Sequence, residues 1–71
     1  MSVLTLTRRI RQTNADVIRR LGELQIGLWD EARLEEDDPA FAAMHRLKEM
    51  MRRNQDGLDE LEARLRGAGL H

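Results

Sequence analysis

Apolar residues recur along this chain in alternating steps of three and four. Between residues 39 and 66 they fall at Ala40, Met44, Leu47, Met51, Leu58, Leu61 and Leu65, followed by Ala68, with Asn54 in the one polar slot. The same spacing runs through Ile10, Asn14, Val17, Leu21, Leu24, Leu28 and Ala32. That period belongs to a helix with a narrow apolar seam packed on another helix, so two helices are predicted, over about 8–36 and about 39–66. Asp37-Asp38-Pro39 separates them: Asp38 can cap the new helix, Pro39 suits its first position, and the residue before a proline avoids helical dihedrals. Asn54-Gln55-Asp56-Gly57 offers a break, but the register from Met51 to Leu58 runs through it and argues for one continuous helix. Arg64 and Arg66 suit the negative end of the second helix, and Gly67 or Gly69 can supply a left-handed cap. Val3-Leu4-Thr5-Leu6-Thr7 alternates with period two. One such strand has nothing to pair with, so residues 1–7 are expected to form a loose arm. The reading is a single all-α domain spanning 1–71, an antiparallel two-helix hairpin resembling a coiled coil, able to complete a larger bundle with a partner or a second copy.

The first helix carries more apolar surface than its seam. Ala15, Ile18, Gly22, Ile26 and Trp29 form a second stripe about 100° around the helix from Leu21 and Leu24, giving a combined arc near 200°. A surface helix in a hairpin needs little more than 100°, so a further surface is expected to pack there. Trp29 and Phe41 are the only aromatic residues. They lie off both predicted seams, within about two turns of the bend on opposite arms, where they can meet. Trp is enriched among residues that carry binding energy, Gly22 admits a close backbone, and Met44, Met50 and Met51 adapt to a partner's contour. The expected partner-binding set is therefore Ala15, Ile18, Gly22, Ile26, Trp29, Phe41, Met44 and Met50. A second hairpin burying the same stripe would make a four-helix bundle.

Charge selects the orientation. Residues 1–22 hold Arg8, Arg9, Arg11, Arg19 and Arg20 against Asp16, a net +4, and residues 23–38 carry a net −6. Residues 39–53 carry +3 and residues 54–71 carry −2. Folding back at Asp37-Asp38 sets opposite signs side by side, whereas a parallel pair would oppose like charges.

Composition narrows the function. The chain has 71 residues, 35% of them charged, with a formal net charge of −1. A chain this short buries only about 60% of the surface it exposes when unfolded, too little both to build a core and to enclose a substrate. It contains no cysteine, which excludes disulfides and thiolate metal sites. His45 and His71 lack metal-ligand spacing. The acids Glu31, Glu35, Glu36, Asp37 and Asp38 lack the glycine and alternating oxygen ligands of a calcium loop, and no catalytic constellation appears. No enzyme activity, metal or cofactor is expected. Eleven of the twelve basic residues are arginine, which raises a small RNA-binding bundle as an alternative. The net charge and the absence of aromatics interleaved with the arginines weigh against it. No run approaches the roughly 18 apolar residues of a membrane span, and no basic leader precedes an apolar stretch at the start, so a cytoplasmic protein is expected.

The layout from about residue 17 to 65, with Leu21 to Ala32, an acidic turn and then Pro39-Ala40-Phe41, resembles the small co-chaperones of type III secretion needle subunits. These too are short, cysteine-free helical hairpins whose second helix opens with proline and an aromatic residue. The resemblance implies a non-enzymatic module in the bacterial cytosol that joins a helical-repeat chaperone to keep an aggregation-prone needle subunit soluble. The acidic turn and the many arginines have no counterpart in that family's pattern.

Overall fold

The computed structural model describes residues 2–70. The first residue of the expected arm and the terminal imidazole of His71 lie outside the described residues.

Two helices account for nearly all of the described chain: α1, Val3–Asp30, and α2, Pro39–Gly67. The expected arm is instead the first turns of α1. Ser2 caps the helix, its hydroxyl accepting the Thr5 N–H at 3.1 Å and donating to the Thr5 hydroxyl at 2.8 Å. The Thr7 hydroxyl is satisfied by donating to the Val3 carbonyl at 2.8 Å, so Thr7 and Leu4 can both be buried. The side-chain alternation that suggested a strand coincides with one helical turn that has its own cap.

At its other end α1 stops at Asp30, well short of residue 36. The N–H groups of Glu31 and Ala32 both return to the Gly27 carbonyl, that of Leu34 returns to Leu28, and Arg33 takes a left-handed φ of 51°. Carrying α1 onward would place Glu35, Glu36 and Asp37 at the negative end of its dipole, an unfavourable arrangement that the longer turn avoids. Asp38 then caps α2, its carboxylate accepting the Ala40 N–H at 2.8 Å with Pro39 in the first turn. The second helix runs unbroken through Gly57. It ends in a Schellman motif: Leu70 N–H reaches the Leu65 carbonyl, Gly69 N–H reaches that of Arg66, and Gly69 has φ 75°.

The helices are antiparallel, since Asn14 meets Gln55, Arg8 meets Glu62 and Trp29 meets Phe41. Facing positions therefore have residue numbers that sum to about 70. Burial follows two heptad rows on each helix. On α1 these are Leu4, Arg11, Ile18, Gln25 and Thr7, Asn14, Leu21, Leu28. On α2 they are Phe41, Lys48, Gln55, Glu62 and Met44, Met51, Leu58, Leu65. Half of the predicted seam is thus correct: the rows through Asn14, Leu21, Leu28 and through Met44, Met51, Leu58, Leu65 face inward. The companion row is displaced by one residue on both helices. Arg11, Ile18 and Gln25 replace Ile10, Val17 and Leu24, while Phe41, Lys48, Gln55 and Glu62 replace Ala40, Leu47, Asn54 and Leu61.

The displacement is explained by polar pairing across the seam. The Asn14 amide donates to the Met51 carbonyl at 2.9 Å and to Gln55 at 2.8 Å. Lys48 donates to Gln25 at 2.6 Å. Arg8 bonds Glu62 at 2.9 Å, Arg11 bonds the same carboxylate, and Arg66 joins it at 3.1 Å. Among the described residues no buried side-chain polar atom is left without a partner, which removes the main cost of a polar seam.

Candidate protein-binding face

A two-helix layer has two broad sides, and these differ chemically. In an antiparallel pair the residue preceding each inward position of the first-named row lies on one side, and the partner helix presents its equivalent row on that same side. Here that side carries Val3, Ile10, Val17 and Leu24 from α1 and Ala40, Leu47, Asn54 and Leu61 from α2, so Asn54 is the one polar side chain in these two rows. Ile10, Leu24, Leu47 and Leu61 are exposed to 50%, 51%, 42% and 45%. Leu6 and Met50, also exposed, extend the same side outward. The opposite side holds Arg8, Asp59 and Arg66, the ion-paired residues around Glu62.

The residues expected to bind a partner are divided by this geometry. Phe41 and Met44 are buried in the hairpin itself, at 7% and 3% exposure. Ile18 sits half-buried in the seam, so none of these three is an outward-facing contact. Ala15, Gly22 and Trp29 line the charged side, with Ile26 further round the helix. Met50 alone of the set lies on the apolar side. The aromatic meeting does occur: Trp29 and Phe41 ring centroids are 4.6 Å apart with planes tilted by 36°. This pair closes the turn end, beside an open depression lined by Gln25, Asp38, Ala42 and His45.

The sequence reading placed Ile10, Val17, Leu24, Leu47 and Leu61 inside because they are the most apolar residues near the seam. The signal against that placement was the complementarity of Arg11 with Glu62, Asn14 with Gln55 and Gln25 with Lys48 at matched heights.

Within the hairpin Gly22 faces open space. A Cβ built there meets nothing within 4 Å, so the glycine only costs helix stability. Gly22→Ala should raise the unfolding free energy by about 0.5–1 kcal/mol in a denaturant titration. A loss of stability would show that something else approaches this position.

At the open end, the Arg8 hydrogen bond holds the Glu62 carboxyl below its ordinary value. Burial opposes this, and the charges of Arg11, Arg66 and Arg8 reinforce it. A carboxyl that is more acidic when folded adds stability above the usual carboxylate range, and that contribution disappears as pH falls through the range. Wild type should therefore melt above Glu62→Gln at neutral pH, with the gap closing on acidification. A gap independent of pH would contradict the linkage.

Among the described residues, no three histidine or acidic side chains gather as a metal site, and no helix is long and apolar enough to cross a membrane. Several arginines are already engaged by acids: Arg8, Arg11 and Arg66 at Glu62, Arg19 at Asp16, and Arg64 at Glu60. No family model, curated protein or solved structure matches the chain.

Proposed function

We propose that this chain is a non-enzymatic protein-binding module that packs helices of another polypeptide against the side formed by Ile10, Val17, Leu24, Leu47 and Leu61. The supporting observation is that four of these five large aliphatic residues are exposed in one strip while Arg11, Gln25, Lys48, Gln55 and Glu62 take positions in the hairpin's own seam. Helix-bundle cores use three heptad rows per helix; the hairpin uses two of them and leaves a third, the most apolar row of α1, uncovered. Binding would proceed by burial, with Met50 and Leu6 adapting at the edges. In its more specific form, the partner is a secretion chaperone or needle subunit held soluble in the bacterial cytosol, the reading carried by the sequence resemblance. The arginines engaged by acids weigh against RNA as the ligand.

The test is native mass spectrometry of the chain recovered from cells. Wild type should appear in a complex, and Leu24→Glu with Leu47→Glu should appear as the free 8.3 kDa chain. Wild type recovered only as the free chain would overturn the proposal.

A further inference from the structure

We infer that the occupant of the apolar side is a second copy of this chain, docked face to face with both turns at the same end. The inference rests on the binding role proposed above and adds the partner and its orientation.

The first observation is area. The chain exposes 5495 Å², whereas a compact folded chain of 8.3 kDa exposes about 4,600 Å². The surplus, about 900 Å², matches the roughly 800 Å² per partner that a standard specific complex covers. The hairpin measures 51 × 17 × 11 Å, a slab one helix thick, and a second slab would give it an interior.

The second observation is a charge row on the outer flank of each helix, one row beyond Leu6 and Met50, which edge the strip. On α1 this row reads Arg9, Asp16, Glu23; on α2 it reads Glu60, Arg53, Arg46. A two-fold axis along the length of the slab lays α1 of one copy over α2 of the other at the same height. The residue-number sum of about 70 then sets Arg9 beside Glu60, Asp16 beside Arg53 and Glu23 beside Arg46, three opposite-charge steps that each occur twice. Asp16 and Glu60 are shared with Arg19 and Arg64 of their own helices, and Asp30 is left opposite Pro39. A two-fold axis across the slab, at full overlap, lays each helix on its own copy. It then brings Asp16 against Asp16 and Arg53 against Arg53, leaving only Arg9 with Glu23 and Arg46 with Glu60 as opposite charges. The same lengthwise arrangement places Ile10 beside Leu61 and Leu24 beside Leu47 in the strip, with Val17 beside Asn54 between them.

The whole chain, expressed alone, tests this by sedimentation equilibrium and by spin-label distances. It contains no cysteine, so Glu36→Cys carries a single label at the exposed turn. The expected result is a dimer with a label separation of about 25 Å or less, set by the helix spacing. Asp16→Arg should weaken the dimer about tenfold, and Arg53→Asp in the same chain should restore it. A crosswise dimer would be indifferent to Asp16→Arg, since like charges face each other before and after. A monomer throughout the micromolar range, a label separation near the 51 Å length, or a dimer that survives Leu24→Glu with Leu47→Glu would each overturn the inference. A monomer that nevertheless enters a complex in cells through Leu24 and Leu47 would remove the second copy and leave the binding role standing.

Discussion

Leu24→Glu combined with Leu47→Glu should reduce affinity for the bound polypeptide by more than about 100-fold while leaving the helix content of the free chain unchanged. The two halves of this expectation have separate causes. In the free chain both leucines are about half exposed, and substitutions at such sites usually shift stability by less than about 0.5 kcal/mol. Glutamate is also a good helix former. In the complex both carboxylates would be enclosed without a cation, and an unpaired buried charge costs about 3–5 kcal/mol. Circular dichroism checks the first half, and titration calorimetry or sedimentation checks the second. Undiminished affinity would show that the apolar side is not the contact.

Phe41→Ala acts on the fold itself. Phe41 is buried at the turn end, and its ring lies against that of Trp29. Truncation removes both the burial and the aromatic contact, for which about 3 kcal/mol is expected. A chain of 71 residues has a total stability of only about 4–10 kcal/mol at the usual value per residue. The melting midpoint should fall by about 10–20 °C. Phe41→Leu, which keeps most of the volume, should recover much of that loss. A shift of only a few degrees for Phe41→Ala would mean that the turn end is held by something other than this pair.

These two substitutions mark where sequence reading succeeded and where it failed. The hairpin, the cap at Asp38, a left-handed glycine at 67 or 69 and the rows through Asn14 and Met44 were all legible. Each depends on local propensity or on a period within one helix. Block charges also gave the antiparallel sense, because that choice sums over many residues. The inner row was not legible from hydropathy, which ranks Ile10 and Leu24 above Arg11 and Gln25 for burial. Their order is reversed by hydrogen bonds between residues distant in sequence, such as Gln25 with Lys48 and Arg11 with Glu62. A pattern read one helix at a time does not contain those pairs. The same error put Phe41 on the binding surface, since the row containing it had been assigned to the outside, whereas Met44 was expected both in the seam and at the partner and is buried in the seam. Exposed apolar surface does occur at Trp29 and Ile26 of the expected stripe, and a second strip of it lies on the other side, through Ile10, Leu24, Leu47 and Leu61. Likewise, the start of α1 depended on one serine hydroxyl, outweighed in the reading by five residues of alternation.

The polar layers also confine how the two arms can be aligned. Sliding one arm by seven residues would return leucines and methionines to equivalent sites, so an all-aliphatic zipper would tolerate the slip. Here it would set Asn14 opposite Lys48 or Glu62 and part the Glu62 carboxylate from Arg8 and Arg11, leaving it only Arg66 of its own helix. The spacing of these groups works as a vernier, with one coincidence along the whole length. Whatever docks alongside therefore meets a ruler of fixed graduation.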